Sequence, residues 1–274
     1  MRDSLFWEMV VPEEQLGMQV YLYLTDAGRA GYNVVVWGPD PEPLALHLGS
    51  GRLPDGSDFD DLVFDGLTLR QPDPLRSCVL TYRKDDVALE FDFRGIHQAF
   101  SYHANPDGLP DWFAQNRMEQ TGRVRGYVAV GDRRVELNGI GHRDHSWGVR
   151  DWGVPQHWKW FVAYTRSGVA VNGWIWIAKG EWGFAGYVSR DGRAVPVATI
   201  DHHADYDVAM RQKRLTATLT DIEGGRTEVV LDAFGVVELP THDPMATVIR
   251  EAACAATIDG EPGAGQFETH WVGS

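Results

Sequence analysis

The sequence predicts an all-β protein, because its hydrophobic residues repeat with a period of two, turn residues separate the repeats, and helical patterns are scarce. Apolar and polar residues alternate in the runs 18–25, 87–94 and 215–220. Side chains on a strand point to opposite faces in turn, so each run indicates a strand with one packed face. Many short strands of this kind are typical of a sandwich or a barrel, and closing a barrel removes exposed sheet edges.

Glycine and aspartate turns lie between the predicted strands. The clearest are Asp65-Gly66, Gly131-Asp132 and Asp191-Gly192. The last of these separates two apolar segments at 187–188 and 195–197, so it predicts a β-hairpin.

Helical periodicity is confined to residues 110–118 and 245–256, so we expect only a few short helices. The chain of 274 residues is long enough for one large β domain or two modest ones. The Trp-Gly-Val-Pro segment at 152–155 is the best internal boundary. It predicts two barrel-like or sandwich-like halves, residues 1–152 and 153–274.

Composition narrows the class of partner. The 25 basic residues are outnumbered by 39 acidic ones, giving a net charge of -14, which disfavours nucleic acid and anionic membrane surfaces. The opening segment lacks a signal-peptide pattern, and no apolar run approaches the ~18 residues of a membrane span, so we expect a cytoplasmic protein without membrane insertion. Cys78 and Cys254 have no CxxC spacing and are expected to be buried, unpaired thiols. Oligomeric state is left open.

Several familiar signatures are absent from the sequence. It contains no GxGxxG, no Walker-type phosphate loop, no GxSxG and no HExxH, which argues against dinucleotide enzymes, NTPases, α/β-hydrolases and zincins. We therefore expect no cofactor. The polar segment 201–205, with two histidines and two aspartates, is interpreted as a solvated loop between strands.

Tryptophan is concentrated in one part of the chain. Seven of the eleven tryptophans lie between residues 147 and 182. On a strand over 157–165, Trp158 and Trp160 share one face, and Trp174 and Trp176 share a face of the next strand. This wall of indoles has two interpretations: a packed core, or the lining of a cavity that binds an apolar small molecule.

The densest polar cluster is His142-Arg143-Asp144-His145-Ser146-Trp147, which glycines bound on both sides. Three roles are open: metal binding, structural hydrogen bonding, and proton transfer by a histidine that a carboxylate orients. In an extended chain His142 and Asp144 share one face, whereas Arg143 and His145 share the other. A compact metal site built on His142, Asp144 and His145 would therefore need a bend.

The segment around this cluster resembles a known motif. Residues 139–148, Gly-Ile-Gly-His-Arg-Asp-His-Ser-Trp-Gly, are similar to the Gly-x-Gly-(Tyr/His)-x-Asp-His-(Asn/Ser)-Trp-Gly motif of the carotenoid 1,2-hydratase (hydroxyneurosporene synthase) and AttH-like superfamily. The aromatic opening at 4–8 and the Gly-x-Gly-x-x-Glu ending within 259–268 also resemble that superfamily. Ser146 stands where the hydratases more usually carry Asn, so reactions other than hydration are also open.

The resemblance implies two tandem lipocalin-like (calycin) antiparallel β-barrels. In enzymatic members it implies cofactor-independent hydration, dehydration, cyclisation or isomerisation of a hydrophobic molecule of terpenoid or steroid type. Carried over to this chain, Asp144 becomes the leading proton donor, with His145 as its partner and His142 beside them. The residues expected to contact the substrate are Trp147, Arg143, Trp158, Trp160, Trp174, Trp176, His97 and Tyr102.

Physical chemistry is consistent with these roles. Protonating an alkene or an enol near pH 7 needs a carboxylic acid that stays protonated, and burial among indoles would raise its pKa. An aromatic face would stabilise a carbocation by roughly 2 kcal/mol or more once water is excluded. Arg143 would lower the pKa of Asp144, but the period of two places it on the opposite face. Two alternatives use the same residues: a non-catalytic lipocalin-like carrier of an apolar ligand, and a metal-dependent enzyme.

Overall fold

The structure is a computed structural model that describes residues 1–240 and 247–272. Within these ranges the regular elements are β-strands, apart from two three-residue 3-10 turns at Pro12–Glu14 and Tyr102–Ala104. The all-β prediction is confirmed. Neither range contains a helix with the length and apolar character of a membrane span.

The first half of the chain forms one rolled antiparallel sheet. Its strands are β1 (Arg2–Val11), β2 (Leu16–Thr25), β3 (Arg29–Trp37), β4 (Ala45–Arg52), β5 (Asp61–Phe64), β6 (Leu67–Asp73), β7 (Ser77–Lys84), β8 (Val87–Gly95), β9 (Phe100–Ser101), β10 (Asn116–Val130) and β11 (Arg133–Gly148). The order is β4-β3-β2-β1-β11-β10-β8-β7-β6-β5, with β9 paired to β10. Near the two edges, the Tyr32 hydroxyl on β3 donates a 2.9 Å hydrogen bond to Asp65 in the β5–β6 turn. Within the described residues, the end strands β4 and β5 do not pair with each other, so this barrel-like half is a half-barrel.

The second half forms a closed antiparallel barrel in sequence order. Its strands are β12 (Pro155–Thr165), β13 (Ala170–Ala178), β14 (Glu181–Arg190), β15 (Arg193–Tyr206), β16 (Gln212–Asp221), β17 (Arg226–Leu239), β18 (Val248–Ile258) and β19 (Glu261–Trp271). The β14–β15 hairpin turns at Asp191-Gly192, where both residues have positive φ, 50° and 77°. Two successive positive φ values define the type I′ turn that the sequence predicts.

Three local predictions are wrong. Residues 110–115 form turns and irregular backbone and residues 116–118 belong to β10, so no helix lies there. In the second predicted helix, residues 245 and 246 lie outside the described residues, and the rest from Val248 onward belongs to β18. Pairing with β17 and β19 on both sides overrides the helix propensity of its alanines. The polar segment 201–205 lies within β15, not in a loop, and its exposure alternates along the strand.

The described residues pack into three hydrophobic cores: one inside the half-barrel, one inside the closed barrel and one between the two halves. Alternation along β12 divides its side chains between the last two cores. Phe161 and Ala163 point into the barrel, whereas Trp158 and Trp160 point outward to the first half. The tryptophan wall therefore faces the space between the halves.

The segment 149–154 connects the last strand of the half-barrel to the first strand of the closed barrel. The boundary that the sequence predicts, between residues 152 and 153, falls in this segment. Independent folding of the two halves stays a prediction. Cys78 and Cys254 are both free and buried, as expected.

Candidate active site

A cavity of about 660 Å³ lies between the half-barrel and the closed barrel. Trp158, Trp160 and Trp174 line it from the barrel side, and strands β1, β2 and β11 supply Phe6, Tyr21 and other residues from the opposite side. The volume is within the range of small-molecule sites, which are mostly apolar with a few polar groups that fix orientation. The geometry therefore favours the cavity-wall interpretation for these three tryptophans.

Asp144 reaches this cavity because of its place on β11. It is paired with Phe6 of β1 on one side and Glu119 of β10 on the other. Side chains alternate along the strand, so Asp144 and Ser146 line the cavity, and His142 lies on the same face. Asp144 is only 9% exposed.

Arg117 holds Asp144 and a second carboxylate together. Its Nη2 lies 2.8 Å from Oδ2 of Asp144, and its Nε lies 2.6 Å from Oε1 of Glu119. Arg117 and Glu119 are next-but-one neighbours on β10, so they share the face that meets Asp144. One buried cation thus serves two buried acids.

Glu119 takes most of the stabilising contacts in this group. Besides Arg117, it accepts hydrogen bonds from Trp160 Nε1 at 3.2 Å and from His142 Nε2 at 2.6 Å. Burial opposes ionisation, but Arg117 and His142 outweigh it and hold the pKa of Glu119 below its ordinary value. Because an ionised carboxylate only accepts, His142 Nε2 carries a proton.

Asp144 has the opposite tendency. Burial raises its pKa to about 7. Attraction to Arg117 opposes this rise, and repulsion from Glu119 adds to it. The pKa values of the two acids that share Arg117 are thereby separated. Glu119 stays ionised, and Asp144 holds a proton near neutral pH. A cavity-lining carboxyl group of this kind can act as a general acid.

A second pair of carboxyl groups lines the cavity from the barrel. Glu251 of β18 and Glu268 of β19 face each other in register and hydrogen-bond to each other. Burial and the neighbouring carboxyl raise the pKa of Glu251 well above its ordinary value, and burial also raises that of Glu268. Trp158 Nε1 donates a hydrogen bond to Glu268, and Gln266 Nε2 donates one to Glu251 at 2.8 Å. The two carboxyl groups can therefore share one proton.

The structure does not bring His145, Arg143 or Trp147 into the cavity. His145 Nε2 lies 2.6 Å from Asp3 Oδ1 on the opposite face of the sheet, and its ring lies 4.6 Å from that of Trp147. Arg143 donates to Gln120 and to the Pro74 carbonyl. The expected partnership of Asp144 with His145 is thus corrected: Arg117 is the partner of Asp144, because adjacent residues on a straight strand point apart.

Three further expected contact residues are not among those that line the cavity, and two of them pack behind Trp174. The Tyr102 ring stacks on Trp174 at 5.9 Å, and its hydroxyl donates to Asn172 at 2.8 Å. Trp176 packs on Trp174 with ring centroids 4.2 Å apart. His97 accepts a hydrogen bond from the Thr121 N–H, and burial lowers its pKa to about 4, so this ring is neutral.

The three candidate metal ligands do not converge. His142 and Asp144 point toward the inter-half face, whereas His145 points away from it. Within residues 1–240 and 247–272, no group of three His, Cys, Asp or Glu side chains has an arrangement that could hold a metal ion.

Sequence reasoning missed four polar residues of the site: Arg117, Glu119, Glu251 and Glu268. A signal for the first two exists in the Gly131-Asp132 turn, because counting back along a two-stranded hairpin places Glu119 opposite Asp144. Glu268 ends the Gly-x-Gly-x-x-Glu segment that marks the resemblance. Glu251 has no comparable local signal.

Fold and site together define a class: a two-part all-β protein in which a half-barrel and a closed barrel enclose an aromatic cavity with buried carboxyl groups. Within that class, the chain belongs to the family described as a domain of unknown function, DUF7064, whose model matches residues 1–273. No curated protein matches the sequence.

Solved structures show the same fold. An AttH-like protein from Nitrosomonas europaea superposes with a TM-score of 0.69 at 14% identity, covering 99% of this chain and 93% of that one. Kievitone hydratase from Nectria haematococca superposes with a TM-score of 0.64 at 11% identity, covering 99% of this chain and 89% of that one. CghA, solved with Sch210972, superposes with a TM-score of 0.62 at 11% identity, covering 98% of this chain and 87% of that one. The resemblance to the AttH-like superfamily is thereby confirmed at the level of the fold.

Proposed function

We propose that this protein is a cofactor-independent lyase or isomerase that acts on a hydrophobic small molecule by acid–base catalysis. The observation that carries the proposal is Asp144: a carboxyl group that lines an aromatic cavity and has a pKa of about 7. The fold supports it, because two proteins of the same fold are a hydratase and CghA. The terpenoid or steroid type of substrate rests on the superfamily resemblance alone.

In the proposed reaction Asp144 delivers a proton to a carbon–carbon double bond. The O–H bond of Asp144 breaks, a C–H bond forms, and the positive charge that develops on the neighbouring carbon lies against the Trp160 wall. An indole face stabilises such a cation by roughly 2 kcal/mol or more in a dry site. Glu119, ionised and fixed by three donors, adds a negative charge nearby.

The second proton transfer completes the reaction. In an isomerisation or cyclisation the cation loses a proton from another carbon; in a hydration it adds water, which then loses a proton. The ionised member of the Glu251–Glu268 pair accepts that proton from the barrel side of the cavity. Dehydration follows the same steps in reverse. Acid and base together return the protein to its starting protonation state through exchange with solvent.

The experiment is deuterium incorporation, because it detects protonation at carbon whichever product forms. A panel of terpenoid and steroid alkenes is incubated with the protein in D2O, and mass spectrometry reports a mass shift in recovered substrate or product. Asp144→Asn keeps the size and polarity of the side chain but removes the transferable proton. The rate of incorporation should fall by roughly 10² to 10⁴.

The matched control is Asp92→Asn, the same change at an exposed residue of β8 on the half-barrel. It should leave incorporation unchanged. Asp144→Asn with near-full incorporation would contradict the proposal. Wild-type protein that binds panel members without incorporating deuterium into any of them would instead indicate a carrier.

A further inference from the structure

Three arginines line the same end of the cavity. They are Arg2 at the start of β1, Arg29 at the start of β3 and Arg150, just after β11. Within the described residues no carboxylate lies in ion-pair distance of any of the three. The fourth arginine in the cavity, Arg117, by contrast contacts two acidic side chains, the ionised Glu119 and Asp144.

The guanidinium of Arg150 is held in place by neutral groups. Its Nη2 donates to the hydroxyls of Ser4 and Ser146, the latter at 2.6 Å, and its Nε is buried without a hydrogen-bond partner. Aromatic rings flank it, with Phe113 at 5.3 Å and Trp152 at 5.8 Å. Burying a cation that has an unused hydrogen-bond donor costs free energy unless an anion or an acceptor pairs with it.

Arg2 has the same character. Its guanidinium lies 4.0 Å from the centre of the Tyr23 ring and 5.4 Å from that of Tyr21, and its Nε is likewise buried without a partner. Arg29 is exposed, and it lines both the main cavity and an adjoining pocket of about 340 Å³. The arginine end of the cavity is therefore continuous with a pocket toward solvent.

Strand register places this end away from Asp144. Arg2 precedes Phe6, the register partner of Asp144, by four residues, or roughly 13 Å along a strand. Ser4 and Ser146, which bind Arg150, form a register pair that lies two residues from Asp144, at half that separation. Arg2 therefore lies at the end of the cavity far from Asp144. Arg150 lies between them, close enough to oppose the rise in the pKa of Asp144.

We propose that Arg2, Arg150 and Arg29 bind a single anionic head group, a carboxylate or a phosphate monoester, of a substrate whose apolar body extends along the tryptophan wall to Asp144. Planar guanidinium groups match both anions, and hydrogen bonds between charged groups are about twice as strong as neutral ones. In a chain of net charge -14, a locally positive entrance also concentrates anionic ligands at this site. The inference rests on the proposed function for the role of Asp144, but not for binding.

The test compares three ligands with one saturated apolar tail: decanoate, decyl phosphate and decanol. Each displaces the neutral dye Nile red from the full-length protein at neutral pH. At least one anionic ligand should bind more than tenfold tighter than decanol. Decanoate against decyl phosphate distinguishes the two head groups.

Substitutions then locate the head group. Arg2→Gln and Arg150→Gln should each weaken binding of the preferred anion by roughly tenfold to a hundredfold, the worth of one charge-assisted interaction, and leave decanol unchanged. Arg29→Gln should have a smaller effect, because this side chain is exposed. Arg226→Gln, the same charge change at an exposed barrel position outside the cavity, is the control. Thermal unfolding checks that the variants are folded, and Arg150→Lys tests whether charge alone suffices.

Equal binding of decanol and both anions, or anion affinity that survives both Arg2→Gln and Arg150→Gln, would overturn the inference. The outcome is separable from that of the proposed function. If the protein shows no anion preference but still incorporates deuterium, the anion site is contradicted and the proposed catalysis is supported. If the protein prefers anions but incorporates no deuterium into any ligand, the anion site is supported and the proposed enzymatic function is contradicted.

Discussion

Arg117 should be the side chain whose loss is most costly at the site. In Arg117→Met an unbranched apolar side chain replaces the aliphatic part of arginine without its guanidinium, and the 2.6 Å and 2.8 Å contacts to Glu119 and Asp144 are lost. Removing one partner of a buried ion pair typically costs about 3–5 kcal/mol, because a charge remains buried without compensation. That is a large share of the ~5–15 kcal/mol that stabilises a folded domain. Urea unfolding, followed by tryptophan fluorescence, measures it.

The chain provides a control in the same geometry. Arg134 and Glu136 form an ion pair of equal spacing at 2.7 Å on β11, but both side chains are exposed. Arg134→Met should therefore leave the unfolding midpoint almost unchanged. The double variant Arg117→Met, Glu119→Gln should recover much of the lost stability, since no ionised carboxylate is stranded. A loss of less than about 1 kcal/mol for Arg117→Met would refute the reasoning, as would a double variant less stable than the single one.

Three other predictions follow from the same structure. Burial raises the pKa of Glu8 to about 8, so the wild type should lose stability as pH rises from about 4.5 to 8. Glu8→Gln should remove that loss and gain up to about 5 kcal/mol over wild type above pH 8, with little difference below pH 4.5; parallel stability curves would contradict this. Trp160→Leu should slow deuterium incorporation by about thirtyfold if its ring stabilises a cation, and an unchanged rate would exclude that role. Activity should survive EDTA; a loss that zinc restores would make His142 and Asp144 candidate metal ligands.

The alternation of apolar and polar residues is sufficient to predict the fold class. The turn residues contain further information, on the partner of Asp144. From the Gly131-Asp132 turn, antiparallel pairing runs unbroken from Val130 and Arg133 back to Glu119 and Asp144. A helix over 110–118 would remove Arg117 from β10. The expected partner of Asp144 came instead from the motif, which gave its sequence neighbour His145.

The rest depends on contacts between distant parts of the chain. Glu251 lies in an alanine-rich stretch whose local preference is helical, and only pairing with two barrel strands makes it a strand residue facing Glu268. Among the described residues Arg2 and Arg150 have no carboxylate partner, and this cannot be read from sequence, because it depends on which side chains the packing of the two halves brings near them. The location of the cavity outside the barrel likewise results from how the halves pack.

The central claim is that Asp144 is protonated near neutral pH at the wall of the cavity, and its titration tests this without any substrate. Isotope-edited infrared spectra of protein labelled with ¹³C-aspartate can be recorded from pH 3 to 9 for the wild type and for Asp144→Asn. The wild-type minus variant difference should show a protonated carboxyl band at pH 6 that disappears with a midpoint of about 7. A midpoint near 4, the ordinary value for aspartate, would show that Asp144 is ionised in the resting protein and contradict its role as the acid.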